Sequence, residues 1–478
     1  MMILEPTMFR EYDIRGRVNA RELSADAVRL IGRGFGTMLV RGGIREALLG
    51  HDSRESSPAL RDAMAGGLTS AGCDVIDIGM VLSPVLYWAQ YAMHIRGAVM
   101  VTGSHNPPEW NGLKLSTEPG TTLLRRQIEK LMALLSQQEF ESGAGSVRQE
   151  DVKERYLRDS VRRVSIRPGF PVVLDAGNGT AGAYAPDAFR LAGCEVDCLF
   201  CDIDPQFPNH FPNPSENANL ARLRQRVPEI GAEVGLAFDG DGDRVVAVDG
   251  AGKIVYADRI VMLLARQVLS RHPGAKIVMD VKCSQGLVDD VAAHGGVPIM
   301  CRTGHSYMKD KMRQERAMLA GERSGHIAFA PDWERPGQIP RLEFHYGVDD
   351  AVFAGLRLLE YLSQQPRPMS DILAEADPYM TSPEIQVPCP DAEKYKVVDA
   401  LVEEFRREYG EDVNDMNGAR VKMRGGWGLV RASSNLPALV FVFEAETRED
   451  LVKIRDAFQA KLTPYGITVP WHGEMDDD

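Results

Sequence analysis

The chain has 478 residues, 44% hydrophobic and 26% charged, a length that divides into roughly three or four cores and a composition ordinary for globular proteins. Its 55 basic and 68 acidic residues leave a formal charge of −13, which argues against a nucleic-acid binder and against a protein held on an anionic membrane. An acidic chain still holds anions wherever it gathers its arginines locally.

The opening stretch MMILEPTMFREYDIRG carries charge from Glu5 onward and no long apolar run. Neither a secretory signal nor a membrane span is expected there, and the expected location is cytoplasmic. Next, Val28, Ile31, Phe35, Met38 and Leu39 recur at helical spacing. The GRGFG at 32–36 lies inside that pattern, so its glycines are read as permitting close helix packing rather than binding a nucleotide.

One pattern then occurs three times: an apolar strand ending in Asp, a polar loop, an amphipathic helix closed by Gly, and a second strand. The instances are ALLGHDSRESSPALRDAMAGGLTSAGCDVIDIG, PVVLDAGNGTAGAYAPDAFRLAGCEVDCLF and KIVMDVKCSQGLVDDVAAHGGVPIMCRTG, with Asp-to-Gly separations of 20 (Asp52 to Gly72), 18 (Asp175 to Gly193) and 16 (Asp280 to Gly296). Three β-α-β units predict parallel sheets covered by helices. Each is followed by an apolar strand, an unusual loop and a further strand, the loops being TGSHNPPEWNG, DGDGD and GERSG. They fall at equivalent places, at the strand ends where α/β folds seat ligands.

In the first loop Ser104 and His105 are adjacent. Neighbours on a tight loop are expected to point apart, and no G-x-S-x-G elbow surrounds Ser104, so a serine acting here needs activation from elsewhere in the chain. Further on, the arginines of RDSVRRVSIR (158–167) read as a solvated helix end. DAGNGTAG (175–182) can cradle a phosphate or simply turn a strand into a helix, and the turn is favoured. Seven cysteines make no disulfide framework in so long a chain. Cys194, Cys198 and Cys201, with His210, invite a metal reading, but the spacing fits no zinc motif and the alternation reads as a buried strand.

FDGDGDR sets carboxylates at Asp239, Asp241 and Asp243, and the glycines between them let the backbone turn sharply enough to converge them. An EF-hand requires glycine sixth and an acid twelfth, and these positions hold Arg244 and Gly250. A site of few ligands with room for a phosphate oxygen suits Mg²⁺; the alternative is an exposed acidic hairpin, against which the flanking apolar strands argue. GERSGH offers Glu322, Ser324 and His326, suited to sugar hydroxyls or to a plain surface turn. Past residue 370 a proline-rich polar stretch leads to a smaller unit in which RASSN presents Arg431, Ser433, Ser434 and Asn435 between two strands, donors that suit a phosphate. The expected domains are 1–155, 156–257, 258–370 and 371–478.

Together these loops, Thr102-Gly103-Ser104-His105-Asn106-Pro107, Asp239 to Arg244, Gly321 to His326 and Arg431-Ala432-Ser433, stand in the order and spacing of the α-D-phosphohexomutase superfamily, and the chain resembles its bacterial phosphomannomutase/phosphoglucomutase branch. Phe9 to Gly16, Asn111 to Lys114, Asp280 to Cys283 and Thr303 to Ser306 also match, so the resemblance covers essentially the whole chain. It implies three related α/β domains with mixed, mostly parallel sheets and a smaller C-terminal α+β domain around a central cleft. It implies reversible phosphoryl transfer between positions 1 and 6 of mannose or glucose phosphates, with a hexose 1,6-bisphosphate as intermediate and activator. Ser104 would carry the phosphoryl group and join Asp239, Asp241 and Asp243 around Mg²⁺, with Lys114, Arg15 and His326 managing proton and charge movements. Tyr12, Arg244, Lys282, His305, Glu322, Ser324, Arg431, Ser433, Ser434 and Asn435 would contact substrate. The expected partners are small hexose phosphates, with neither nucleic acid nor membrane, and the expected state is a monomer. Phosphoglucosamine mutase, a sugar-phosphate phosphatase and a phosphosugar sensor are the competing readings. Two departures bear on substrate choice: Arg323 stands where the branch usually has methionine, and Arg-Ala-Ser-Ser-Asn replaces Arg-Ala-Ser-Asn-Thr.

Overall fold

The structure, a computed structural model, describes residues 4–376, 378–434 and 436–470. Its first three units share one topology. In the first, the strand Glu46–His51 has parallel neighbours Asp74–Met80 and Gly97–Val101, and the latter turns back antiparallel as Trp110–Ser116. Pro171–Asp175 lies likewise between Glu195–Leu199 and Val234–Phe238, followed by antiparallel Val245–Asp249. Lys276–Asp280 lies between Val297–Cys301 and Leu319–Gly321, followed by antiparallel Ile327–Phe329. The register partners Val101 and Leu113, Phe238 and Val245, and Gly321 and Ile327 bracket the three loops, so each loop tops a hairpin at its sheet's carboxyl end.

Ile14–Arg17 pairs antiparallel with Trp110–Ser116, with Arg15 opposite Gly112, which carries Arg15 to the edge of the serine loop. The helix Ala25–Arg41 supplies the reason for GRGFG: a Cβ on Gly32 would lie 2.8 Å from the Met64 carbonyl, and one on Gly36 2.9 Å from Ala71, so only hydrogens let these helices meet. The first three units also share one contiguous core, including Trp88, Tyr156, Phe189, Leu236, Ile260 and Met279. The helix Ala351–Ser363 of the third unit reaches into the second, where a Cβ on Gly355 would meet Leu236 and Phe189 at 2.9 Å. Burial of each such side chain is worth roughly 1.5–3 kcal/mol, so these units are welded rather than strung together.

The fourth unit has a separate core of Leu401, Phe405, Phe441, Phe443 and Phe458 beneath the helices Asp391–Tyr409 and Arg448–Leu462. It meets the third through a small apolar cluster of Val281, Trp427, Leu429 and Val442. Around that cluster Arg420 stacks 3.6 Å from the Trp427 ring centroid and donates to the Val281 and Cys283 carbonyls at 2.6 and 2.7 Å.

Two expectations need correction. Arg163 is no solvated helix end: it is buried against Asp159 and donates to the carbonyls of Arg341 and Phe344 at 3.0 and 2.8 Å, tying the second unit to the third, while Arg158 and Arg162 do face solvent. The cysteine strand Glu195–Leu199 is a half-exposed sheet edge, with Cys198 exposed beside Arg190 at 3.6 Å. His210 turns to Asp175 at 3.1 Å, and none of these residues belongs to a metal-capable cluster among the described residues.

Candidate active site

Ser104 is buried and sits at φ 50°, a left-handed conformation that costs a non-glycine residue of order 1 kcal/mol or more. What over-determines it is a set of bonds that begins in the preceding strand. Asp52 accepts from the Gly103 amide at 3.0 Å, and Ser104 N donates to Thr102 Oγ1 at 2.8 Å. The buried Arg54 guanidinium donates to the carbonyls of Ser104, Pro107 and Trp110 at 2.8, 2.6 and 3.1 Å. Arg54 is a residue that motif reading missed; its only sequence signal is its place in HDSRES, directly after the strand that ends in Asp52.

The left-handed turn also overturns the expectation that Ser104 and His105 point apart. It swings consecutive side chains together, so that Ser104 Oγ lies 3.1 Å from His105 Nδ1. Burial, then Arg244 and Arg15, hold His105 well below the ordinary imidazole range. The same hydroxyl donates to Asp239 Oδ2 at 3.0 Å, across 135 residues of sequence.

The DGDGD loop closes onto this serine so tightly that a Cβ on Gly240 would lie 2.4 Å from the Ser104 carbonyl. Asp239, Asp241 and Asp243 are fully buried, with ligand oxygens within 4.8 Å of one another, and among the described residues Asp241 Oδ1 and Asp243 Oδ1 have no hydrogen-bond partner. Burial, then Asp243 and Asp241, push the Asp239 carboxyl well above the usual range. Three converging carboxylates with orphaned oxygens fit a hard divalent cation. Lys114, from the strand beyond the serine loop, places its ammonium 2.6 Å from Asp241 and 2.5 Å from Asp243. Its own burial opposes the charge, but Asp241 and Asp243 outweigh it and raise Lys114 well above the lysine range. Ser83, a further residue not singled out by motif, donates to Asp241 at 2.5 Å.

Arg15 donates to Asp13 at 2.7 Å and to Asn106 of the serine loop at 3.3 Å. Arg244 donates to His326 Nε2 at 2.9 Å. His326 Nδ1 lies 2.9 Å from Asp349, a buried carboxylate that also stands 3.3 Å from His305 and 2.7 Å from Lys309. Asp349 sits beside two histidines stacked at 5.0 Å, yet it is 23 residues from His326, and a DD pair before a helix carries no motif. His305 is lowered to about 4 by burial, then Lys309, with Asp349 opposing. Tyr12 packs edge-on against His305 at 5.0 Å.

In the third loop Glu322 accepts from the Gly304 amide at 2.5 Å and from Ser324 Oγ at 3.2 Å. Burial, then Asp280, raise its carboxyl. Lys282 pairs with Glu384 at 2.7 Å, and the resulting attraction, with Arg431 next, outweighs burial and holds Glu384 at about 2. Arg431 is buried, its Nε donating to Asn417 at 3.1 Å. Ser433 Oγ accepts from Leu436 N at 3.1 Å, and Lys394 donates to the Ser433 carbonyl at 2.6 Å. Ser434 is half-buried, and Asn435 lies outside the described residues.

Arg323, the departure in the third loop, does not join these groups. Its side chain turns into the seam with the fourth unit, donating to the Ser382 carbonyl at 2.9 Å, 3.7 Å from Asp258 and 5.0 Å above Tyr256. Asp258 keeps Arg259 and the Ser284 amide as partners, so Arg323→Met is expected to cost roughly 1–2 kcal/mol of stability; a thermal unfolding midpoint equal to the parent's would contradict this placement.

Family models of phosphoglucomutase/phosphomannomutase match in order: alpha/beta/alpha domain I at residues 6–142, domain II at 153–252, domain III at 256–379 and the C-terminal domain at 384–461. A phosphomannomutase/phosphoglucomutase of Pseudomonas putida is 41% identical over 460 residues, 96% of each chain. A phosphoglucomutase of Neisseria meningitidis is 38% identical over 458 residues, 95% of this chain and 96% of its own. The crystal structure of a phosphoglucomutase/phosphomannomutase family protein from Burkholderia thailandensis superposes with a TM-score of 0.89 at 38% identity, over 98% of this chain and all of that one.

Proposed function

The chain belongs to the phosphoglucomutase/phosphomannomutase family, and on that premise we propose how its cleft divides the labour of the reaction. The protein is a hexose-phosphate mutase, moving a phosphoryl group between positions 1 and 6 through a phosphoserine and a hexose bisphosphate. The observation that carries the assignment of residues is the Ser104 hydroxyl held 3.0 Å from Asp239, in a strained loop from one unit closed onto a triad from another.

In the first transfer a sugar hydroxyl attacks the phosphorus of phospho-Ser104, the P–O bond to Ser104 breaks, and the hydroxyl proton leaves to a group beside it. We assign the handling of that proton and of the serine oxygen's charge to His326 and Lys114, with Arg15 and Arg244 adding positive charge. After the bisphosphate reverses, the Ser104 oxygen attacks its other phosphorus, the P–O bond to the sugar breaks, and the proton returns to the sugar oxygen so released. Asp239, Asp241, Asp243 and the oxygen of Ser104 would hold Mg²⁺, which would supply charge neutralisation at the transferring group. Phosphoryl transfer depends on such positioning and electrostatics more than on a strong base. Glu322 and Ser324 fit adjacent sugar hydroxyls, and His305 is placed to assist them. Lys282, Arg431, Ser433, Ser434 and Asn435, with Tyr12, are of types that suit the non-reacting phosphate.

Glucose 1-phosphate with Mg²⁺ and a trace of glucose 1,6-bisphosphate is expected to give glucose 6-phosphate without accumulating free phosphate; free phosphate as the main product would mean a phosphatase. Running mannose and glucosamine 1-phosphates beside it ranks the substrates. One phosphate grip must serve both substrate orientations, and a lysine cannot hold two phosphate oxygens as a guanidinium does. Arg431→Lys is therefore expected to raise KM for glucose and mannose 1-phosphates by a similar factor, about tenfold. It should also lower kcat and release more bisphosphate. Glu322→Gln should instead change the glucose-to-mannose ratio. An Arg431→Lys variant that altered sugar preference and left KM untouched would assign the fourth unit another task. Among the described residues no helix is long and apolar enough to cross a membrane.

A further inference from the structure

A cavity of about 180 Å³ opens where the third and fourth units meet the amino-terminal segment, lined among others by Glu11, Arg302, Thr303, Tyr395, Asn417 and Arg431. Asn417 ties its walls together, its Oδ1 accepting from Thr303 N and from Arg431 Nε, both at 3.1 Å. The Glu11 carboxylate enters from the first unit. It accepts from the Tyr307 hydroxyl at 2.9 Å and approaches Arg302 at 3.4 Å and Tyr395 at 3.5 Å, while its neighbour Arg10 lies 3.8 Å from Asp391. Arg302 stacks 4.2 Å from the Tyr307 ring centroid, which restrains the guanidinium, and its buried Nε has no hydrogen-bond partner among the described residues.

We propose that Arg302 is a further phosphate-binding residue of the cleft, and that Glu11 is the counter-ion it exchanges for the substrate's phosphate. The proposal rests on the phosphate role given above to Arg431, which shares the cavity. At 3.4 Å the Arg302–Glu11 contact is longer than the 2.7–2.9 Å of a strong charge-assisted bond. A phosphate dianion offers two oxygens to the same fork and displaces the carboxylate. Glu11 is not orphaned by the exchange, since it keeps the Tyr307 hydroxyl. A pre-paired arginine also moderates affinity, which suits an enzyme whose bisphosphate must let go of the site in order to reverse within the cleft.

The test uses inorganic phosphate as probe on the full chain, by calorimetric titration at fixed low salt and as a competitor of glucose 1-phosphate. Glu11→Gln frees Arg302 and is expected to tighten phosphate about threefold or more, lowering KM; Arg302→Gln is expected to weaken it about tenfold, raising KM more than it lowers kcat. The double variant should match Arg302→Gln alone, because Glu11 acts through Arg302. Unchanged phosphate affinity in Arg302→Gln, or weaker binding in Glu11→Gln, overturns the proposal. Should Arg302→Gln lose cooperative unfolding, Glu11→Gln decides alone: tighter binding supports the exchange, and unchanged or weaker binding refutes it. A protein that shows the expected phosphate pattern yet interconverts no hexose phosphates would refute the mutase reading instead; an active mutase with phosphate affinity blind to both residues would refute this inference only.

Discussion

Ser104→Ala is expected to lower turnover by at least roughly a thousandfold while leaving the thermal unfolding midpoint within a few degrees of the parent. The serine is the loop hydroxyl delivered to the acidic triad, at 3.0 Å from Asp239, whereas the Thr102 hydroxyl is turned to the Ser104 amide at 2.8 Å. His105, although 3.1 Å from the same oxygen, cannot substitute for it. Alanine removes no structural bond of the backbone: the Arg54 and Asp52 contacts that set the loop engage carbonyls and amides rather than the hydroxyl. Intact-mass measurement should find one added phosphate on the peptide containing Ser104 in the active parent and none there in the variant. A variant that kept a tenth of parental turnover would remove Ser104 from the role of carrier.

Asp241→Asn is the second large effect. The carboxylate accepts from Lys114 at 2.6 Å and Ser83 at 2.5 Å and presents an unpartnered oxygen to the centre of the triad. Its own titration reflects this setting: burial and Asp243 raise it, and Lys114 with Ser83 more than compensates, leaving it below the usual aspartate value. The amide keeps the shape and removes a charge, so Mg²⁺ should bind more weakly and kcat fall about a hundredfold, with a smaller change in KM, because the cation acts chiefly on charge that develops during transfer. Kinetics across a Mg²⁺ series measure both. Partial recovery at high Mg²⁺ would mark the loss as one of metal affinity, whereas an unaltered rate and metal dependence would leave the acidic loop only a structural part.

Much of this was legible because the three related units repeat their signals. An aspartate ends a strand in each, and the pattern of apolar strand, glycine-rich loop and apolar strand locates all three hairpins. The side chains that were not legible act across separate elements, and some across units. Arg54 and Ser83 reach the serine and metal loops from other elements of the first unit, Asp349 reaches His326 and His305 from just before Ala351–Ser363, and Glu11 reaches the fourth unit from the amino-terminal segment. Periodicity and local motif carry no such long-range pairing. Arg323 and Arg163 mislead for a related reason: a guanidinium counts as exposed or ligand-facing in sequence, yet its length lets it bury its stem and cap carbonyls in a seam between units. The Ser104–His105 contact was hidden by a single backbone angle, since only a left-handed residue brings neighbouring side chains onto one side.

A single-turnover transfer remains the sharpest experiment. The parent protein, carrying labelled phosphate on Ser104, is mixed with glucose 6-phosphate and Mg²⁺, and products are stopped through the first catalytic cycle. The label is expected to pass first into hexose 1,6-bisphosphate and then into monophosphate, with Ser104 rephosphorylated from the substrate. Label that instead leaves as free phosphate, or unphosphorylated protein that turns over at full rate without added bisphosphate, would contradict Ser104 as the carrier and the cleft as a mutase.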